Sequence, residues 1–238
     1  MEVLECNNLS KIVKGKKLVE NISFSVNSGD VVGLLGPNGA GKSTIMKLIV
    51  GLIKASSGNI CINGYNIKLD FVHAIEKVGA IIENPDLYMY LSGYDNLRIS
   101  ANNFKNISRE RIYEVAKIVG LENRIKDKVS TYSLGMKQRL SIAEALINSP
   151  KLLILDEPTN GLDIEGTIEM RELIKRLSSQ GIAILISTHN LTEIDNVCNR
   201  IITIQNGKML SDEYIEEFKG NMSSEQAFIK KVGGNKID

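Results

Sequence analysis

Apolar residues alternate with polar ones in parts of the chain and form unbroken runs in others. The segment 23–27 (SFSVN) alternates with a period of two, which is typical of a strand with one buried face. The segments 31–36 (VVGLLG), 151–158 (KLLILDEP) and 182–188 (IAILIST) are largely apolar on both faces, which indicates strands inside a covered sheet. Further strands are expected at 58–67 and in a hairpin at 201–209.

A second pattern, with apolar residues three or four positions apart, predicts amphipathic helices. It occurs at 43–53, 108–120, 137–147 and 165–181. Ser108 is expected to cap the second of these helices, and Gly120 to end it. The whole stretch from about 86 to 149 has a helical pattern and lies between two groups of predicted strands.

Alternation of strands and helices predicts an α/β fold with a mostly parallel sheet. The strand-rich N-terminal part is expected to form an antiparallel β-subdomain. The helical stretch 86–149 is expected to be an inserted subdomain. One domain then covers residues 1–215, and 216–238 is a C-terminal tail that forms a short helix or is frayed.

Composition restricts the possible functions of the 238-residue chain. Its net charge is +1, so no general basic field favours nucleic acid or an anionic membrane as a partner. Cys6, Cys61 and Cys198 are far apart, which argues against a disulfide framework or zinc site and favours reduced thiols. There is no signal-peptide pattern, and no apolar run approaches the ~18 residues of a membrane span. Any membrane component is therefore expected from another chain.

Residues 36–43 match the phosphate-loop pattern G-x-x-x-x-G-K-[ST], between a predicted strand and a predicted helix. A chain of this composition matches by chance about one time in a hundred, and the strand–loop–helix context makes chance still less common. Lys42 is expected to reach the β- and γ-phosphates, and the Ser43 hydroxyl to hold Mg²⁺. The predicted ATP-binding residues of the loop are Gly36, Pro37, Asn38, Gly39, Ala40, Gly41, Lys42, Ser43 and Thr44.

Two carboxylates follow the apolar strand at 152–155. Ligands of open α/β sheets bind at the carboxyl ends of strands, so Asp156 is a candidate Mg²⁺ ligand and Glu157 a candidate general base. The plainer alternative is a strand that ends in a charged turn. His189 follows the strand 182–188 and is expected at the same edge of the sheet, although an isolated histidine is more often structural.

Ser133 and Gly135 begin a predicted helix shortly before the acidic strand. A helix N-terminus favours an anion. Since the chain already has a phosphate loop, this second anion site suggests the nucleotide of a second chain.

The order of GPNGAGKST, YSLGMKQRL, LLILDEPTNGLD and ILISTHN resembles that of the ATP-binding subunit of ABC transporters, over about residues 2–215. The resemblance implies a P-loop NTPase core, hydrolysis of ATP with Mg²⁺, and two subunits packed head to tail beside separate transmembrane permease subunits. It makes Glu157 the catalytic base, and His189 a sensor of the γ-phosphate. Ser133, Leu134 and Gly135 would face the partner's ATP, with Asp163 at the interface.

The chain departs from the family pattern at three positions. Leu134 replaces the middle glycine of the S-G-G signature. Val13, or else Ile12, takes the place of the aromatic residue that stacks on adenine. Glu83 replaces a glutamine that contacts Mg²⁺ and the attacking water, so we expect it to be a catalytic and Mg²⁺-linked residue. The alternative is that Glu83 points to solvent and only ends a strand.

The segments IIENPDLYMYLSGYDNL and YSLGMKQRL are similar to those of ABC ATPases that export bacitracin-like or lantibiotic peptides. This similarity implies a cytoplasmic subunit, peripheral on the inner face of the membrane through its permease. Tyr88, Tyr90 and Tyr94 either pack inside the helical stretch or line a cleft for the membrane partner. Two other functions stay open: an ABC ATPase that acts on ribosomes or nucleic acid, and a nucleotide-binding regulatory module without turnover.

Overall fold

A computed structural model of the chain describes residues 1–83 and 86–233. Its strands are β1 Glu2–Val13, β2 Lys16–Asn27, β3 Val31–Leu35, β4 Ser57–Ile62, β5 Tyr65–Asn66, β6 Val78–Ile81, β7 Leu152–Asp156, β8 Ala183–Thr188, β9 Arg200–Gln205 and β10 Lys208–Tyr214. Its α-helices are α1 Lys42–Ile49, α2 Phe71–Ile75, α3 Gly93–Ala101, α4 Arg109–Ile118, α5 Leu134–Leu146, α6 Ile164–Ser179, α7 Leu191–Val197, α8 Ile215–Lys219 and α9 Ser224–Gly233.

A six-stranded sheet in the order β10-β9-β3-β8-β7-β6 forms the centre of the fold. The pairs β9–β3, β3–β8, β8–β7 and β7–β6 are parallel, and only β10 runs antiparallel to its neighbour. The adjacent strands β3, β8 and β7 therefore present their carboxyl ends at one edge. The phosphate loop follows β3 and His189 follows β8. Asp156 is the last residue of β7, and Glu157 comes directly after it.

The second sheet, β2-β1-β4-β5, is antiparallel and N-terminal. The two sheets and the helices around them confirm the predicted fold class, an α/β core with an antiparallel N-terminal sheet.

Two apolar clusters cover the opposite faces of the six-stranded sheet. In β3, Val32 and Leu34 belong to the cluster shared with the N-terminal sheet and α1. Val31 and Leu35 belong to the cluster shared with helices α3 to α6. Because successive side chains of a strand point to opposite faces, both faces must be apolar. This explains the unbroken apolar runs in β3, β7 and β8.

Helices α3, α4 and α5 lie between β6 and β7 in the chain. Helix α5 packs closely on β6, since a Cβ at Gly79 would lie 2.4 Å from the carbonyl oxygen of Ala145. Ser108 caps α4 as predicted, because its hydroxyl accepts a hydrogen bond from the Arg111 N–H at 3.3 Å. Within the described residues, no helix is both long and apolar enough to cross a membrane.

Two sequence predictions about helices were wrong. The helix predicted at 43–53 ends at Ile49, because Gly51 adopts φ = 74° and stops it; Leu52 is outside the helix and 67% exposed. The tail predicted as one short helix or a frayed segment contains both α8 and α9. Phe218 and Ala227 of these helices are buried in the core. Residues 234–238 lie outside the described part of the chain.

A partly buried carboxyl on α5 makes stability depend on pH. Glu144 accepts a hydrogen bond from the Ser100 hydroxyl at 2.9 Å, but burial raises its pKa to about 7. Because the folded state holds this proton more tightly than the unfolded state, the contribution is complete below about pH 4.5 and is lost as the pH rises to about 7. Glu144→Gln should therefore gain about 2 kcal/mol of unfolding free energy relative to wild type between pH 5 and pH 8.

Urea unfolding of both proteins at the two pH values measures this difference. Glu172→Gln is the control, because the Glu172 side chain is 70% exposed. An equal pH response of the wild type and Glu144→Gln would contradict the prediction.

Candidate active site

The loop between β3 and α1 is fixed by close contacts with the β9–β10 hairpin. A Cβ at Gly36 would lie 2.2 Å from the carbonyl oxygen of Ile204, so only glycine fits there. Gly41 has φ = 113°, which favours glycine, and precedes the first residue of α1. The Gly207 N–H donates to the Ala40 carbonyl oxygen at 2.9 Å. The loop conformation is therefore set by its neighbours.

Lys42 lies at the centre of this loop and is only 6% exposed. Its Nζ donates to the carbonyl oxygens of Gly36 at 2.7 Å and Pro37 at 3.3 Å. Burial lowers the pKa of Lys42, and the carboxylates of Glu157 and Asp156 oppose this effect. The Nζ is 3.9 Å from Glu157 Oε1. A cation is thus held between the loop and the acidic strand end.

A cavity of about 460 Å³ lies in front of the loop. Residues 38–44 line it, together with Asp156 and Glu157. Ser43 and Asp156, the two predicted Mg²⁺ ligands other than Glu83, thus share one cavity. Asn206 and Gly207 of the β9–β10 turn also line this cavity. The sequence did not predict them as site residues, because the pair has the pattern of an ordinary hairpin turn.

The ends of β7 and β8 bring four polar side chains together. Ser187 Oγ donates to Asp156 Oδ1, and the N–H of Glu157 lies 3.1 Å from both the backbone oxygen and Oγ of Ser187. Glu157 has φ = 50°, an uncommon conformation for a residue with a side chain. His189 Nδ1 lies 2.9 Å from Glu157 Oε1. Sequence reasoning missed Ser187, although a serine at the end of an apolar strand was a usable signal. The structure buries it fully.

A second cleft, of about 300 Å³, adjoins this group. Glu83, Asp156 and Glu157 line it, as do Leu134 and Gln138 of α5. The Glu83 carboxylate is 66% exposed and forms an ion pair with Lys47 of α1. Glu83 therefore borders the same space as the candidate Mg²⁺ ligand Asp156 and the candidate base Glu157, and Lys47 offsets its charge.

Ser133 and Asp163 cap the helices α5 and α6. Ser133 Oγ accepts from the Met136 N–H at 3.2 Å, and Asp163 Oδ1 accepts from the Gly166 N–H at 2.8 Å. Gly135 faces the loop before α6, since its Cβ would lie 3.6 Å from Leu162 Cδ2. Residues 133–135 do not line the cavity at their own chain's phosphate loop, within the part of the chain that the structure describes.

Val13 is the last residue of β1 and is 42% exposed; Ile12, beside it, is 46% exposed. Neither residue lines the phosphate-loop cavity, although Leu18 of β2, just after the same hairpin, does. The contact of Val13 or Ile12 with adenine is still a prediction.

Tyr90 and Tyr94, two of the three tyrosines that follow Glu83 closely, have different surroundings. Tyr94 packs against Tyr113 with ring centroids 5.4 Å apart, whereas Tyr90 is 70% exposed.

The fold and the loop between β3 and α1 define a phosphate-loop ATPase. The family model described as "ABC transporter" matches residues 19–160, more than half of the chain, and the chain therefore belongs to the ABC transporter family. Within that family it is an ATP-binding subunit that hydrolyses ATP.

Similar proteins support this assignment. The lantibiotic transport ATP-binding protein SrtF of Streptococcus pyogenes is 42% identical over 230 residues, 97% of both chains. The bacitracin transport ATP-binding protein BcrA of Bacillus licheniformis is 41% identical over 218 residues, 91% of this chain and 71% of that one. A solved structure of an ATP-binding subunit of an ABC transporter superposes with a TM-score of 0.86 and 29% identity, covering 97% of this chain and 99% of that one.

Proposed function

We propose that this subunit powers the export of a peptide antibiotic, of the bacitracin or lantibiotic kind, through separate transmembrane permease subunits. The relatives named for lantibiotic and bacitracin transport support the substrate class. The contact between Glu157 and His189 beside the buried Lys42 carries the proposal that export is driven by turnover. In this role the subunit is cytoplasmic and bound to the inner face of the membrane through its permease.

The phosphate loop, residues 36–44, binds the triphosphate of ATP. Its backbone N–H groups, the N-terminus of α1 and Lys42 supply positive charge. The Ser43 hydroxyl and the Asp156 carboxylate are oxygen donors on one cavity, which is the kind of set that Mg²⁺ prefers. When bound, Mg²⁺ neutralises charge on the phosphates.

Glu157 acts as the general base that takes a proton from the attacking water. Its backbone is fixed by Ser187, and its carboxylate is within 2.9 Å of His189. His189 orients that carboxylate and contacts the γ-phosphate. Both residues follow buried strands, which hold them at a defined separation.

Two subunits pack head to tail around a two-fold axis, and Ser133, Leu134 and Gly135 of each contact the ATP of the other. Ser133 and Gly135 lie away from their own phosphate-loop cavity, which supports this arrangement, and Leu134 borders the adjoining cleft. Asp163, at the start of the adjoining helix α6, lies at the interface. ATP drives closure only because the closed dimer binds it more tightly than the open one.

The proposed function is tested in cells that contain the subunit together with the membrane protein that co-purifies with it. We expect loss of the subunit to increase susceptibility to one class within a panel of peptide antibiotics. A Glu157→Gln variant should behave like the deletion. Unchanged susceptibility across the panel, or co-purification with ribosomes or nucleic acid instead of a polytopic membrane protein, would contradict the proposal.

Glu83 is proposed to act as a ligand linked to Mg²⁺, which connects the nucleotide to the segment leading into the helices. Its position on the cleft with Asp156 and Glu157 supports this role. Removing its charge should raise the Mg²⁺ concentration for half-maximal ATPase activity about tenfold. The measurement is a Mg²⁺ titration of Glu83→Gln.

Asp86→Asn is the matched control for Glu83, because Asp86 is an exposed carboxylate three residues along the chain. An unaltered Mg²⁺ dependence and ATPase rate of Glu83→Gln would favour the simpler role, in which Glu83 only ends a strand.

Val13 is proposed to contact adenine in place of the aromatic residue usual in the family. An aromatic ring would add a stacking contribution of about 1 kcal/mol, so Val13→Tyr should tighten ATP binding about fivefold. Equilibrium binding of ATP measures the change. Neighbouring strand residues point to opposite faces, so Ile12→Tyr serves as the control and should have no effect. If only Ile12→Tyr tightens binding, Ile12 is the adenine contact; if neither does, adenine binds elsewhere.

A further inference from the structure

An ion pair with a buried carboxylate joins α6 to α7. Glu193 of α7 is fully buried, and its Oε1 accepts a hydrogen bond from Arg171 Nε of α6 at 3.2 Å. The other oxygen, Oε2, is buried and has no hydrogen-bond partner within residues 1–83 and 86–233. A buried carboxylate with a hydrogen bond to only one of its oxygens contributes little to stability, because its attraction to the arginine must offset the hydration that both groups lose on burial. Its presence suggests that the pair has another use.

Helix α7 lies directly after His189 in the chain, as β8 lies directly before it. It has seven residues and begins two positions after His189, with Asn190 as its cap. A helix this short does not keep its place without tertiary contacts. Ile194 supplies one contact by packing on Gly33 of β3, where an added Cβ would be 2.4 Å from Ile194 Cδ1. The Arg171–Glu193 pair supplies another, on the side of α6.

Helix α6 begins directly after Asp163, which caps it. The pair therefore connects the helix that follows His189 with the helix that follows the proposed interface residue. A shift of α7 by a fraction of an ångström would change the 2.9 Å contact between His189 and Glu157. Small displacements of catalytic groups can reduce rates by up to about 100-fold.

We propose that Arg171 and Glu193 are positioning residues for ATP hydrolysis, which anchor α7 to α6 and so hold His189 against Glu157. Neither residue lines the phosphate-loop cavity, so the pair acts on turnover through His189 and leaves ATP binding unaffected. This inference rests on the proposed roles of Glu157 and His189.

The first test is the kinetics of Glu193→Gln, which keeps the shape of the side chain and removes its charge. We expect kcat to fall about tenfold or more, while KM for ATP changes less than about twofold. Glu114→Gln is the matched control. It makes the same change of side chain in the Arg111–Glu114 pair of α4, away from the phosphate loop and from α7, and kcat should stay close to wild type.

The second test reads the position of His189 without relying on activity. The chain has two histidines, so in a His73→Ala background the imidazole NMR signals belong to His189 alone. Glu157→Gln calibrates the shift that follows a changed Glu157–His189 contact. We expect Glu193→Gln to shift the His189 signals clearly and Glu114→Gln to leave them in place.

Arg171→Lys keeps the positive charge but not the planar guanidinium, and should give an intermediate kcat and shift. It also keeps the proposal testable if Glu193→Gln does not fold. Wild-type kcat and His189 signals in Glu193→Gln, or equal changes in Glu114→Gln, would overturn the proposal. Strong hydrolysis by Glu157→Gln would instead overturn the proposed role of Glu157, while the NMR signals would still report whether the pair positions His189.

Discussion

Replacing Glu157 by glutamine is expected to lower the ATPase kcat by at least about 100-fold, the usual contribution of a general base. Glutamine keeps the size and the hydrogen-bonding backbone of the residue but cannot accept the proton of the attacking water. Binding of ATP should persist, because Lys42 is held by the Gly36 and Pro37 carbonyl oxygens and not mainly by Glu157. The variant therefore separates binding from turnover.

The measurements are steady-state phosphate release and equilibrium ATP binding for Glu157→Gln. Glu172→Gln on the exposed side of α6 is the control for charge removal, and its kcat should match wild type. Substantial hydrolysis by Glu157→Gln would assign water activation to another group. Loss of ATP binding would instead mean that the variant perturbs the phosphate loop.

Gly135→Asp is expected to abolish ATP hydrolysis while its own chain folds and binds ATP normally. A Cβ at Gly135 meets ordinary contacts, 3.6 Å from Leu162 Cδ2 and 3.9 Å from Gly166 Cα. A carboxylate in the first turn of α5 is also favourable for the helix. Any large loss must then come from repulsion of phosphates that belong to the partner subunit. We expect a reduction of at least about 100-fold, as when a key electrostatic contact of a transition state is lost.

Mixing two inactive variants makes the test specific for a head-to-tail dimer. Lys42→Ala should disable the phosphate loop, and Gly135→Asp should disable the surface that is proposed to contact the partner's ATP. In an equal mixture half of the dimers are mixed, and each has one intact site, so about a quarter of wild-type activity should return. No recovery in the mixture, together with normal folding of each variant, would contradict the proposed arrangement.

The sheet was predictable because its signal is local. Strands β3, β7 and β8 are apolar on both faces, because each face of their sheet is covered by an apolar cluster. The phosphate loop was also predictable, because a few consecutive residues carry its chemistry. Because Glu157 and His189 each follow the carboxyl end of a predicted parallel strand, the sequence also predicted both at the same edge of the sheet.

The rest depends on contacts between distant parts of the chain. Lys47 meets Glu83 across 36 positions, and Ser187 meets Asp156 across 31. Asn206 reaches the cavity only because β9 pairs with β3. The periodic pattern continued to residue 53, but the left-handed conformation of Gly51 ends α1 at Ile49. Spacing along a sequence carries little information about such partners.

The bracing of the phosphate loop by the β9–β10 hairpin has a thermodynamic consequence. Gly36 fits under the Ile204 carbonyl, and Ala40 accepts a hydrogen bond from Gly207, so the chain entropy lost in shaping the loop is lost during folding. Nucleotide binding thereby becomes linked to the integrity of an edge hairpin that is remote in sequence. By this linkage, bound ATP stabilises the closed hairpin by as much as hairpin closure strengthens the affinity for ATP.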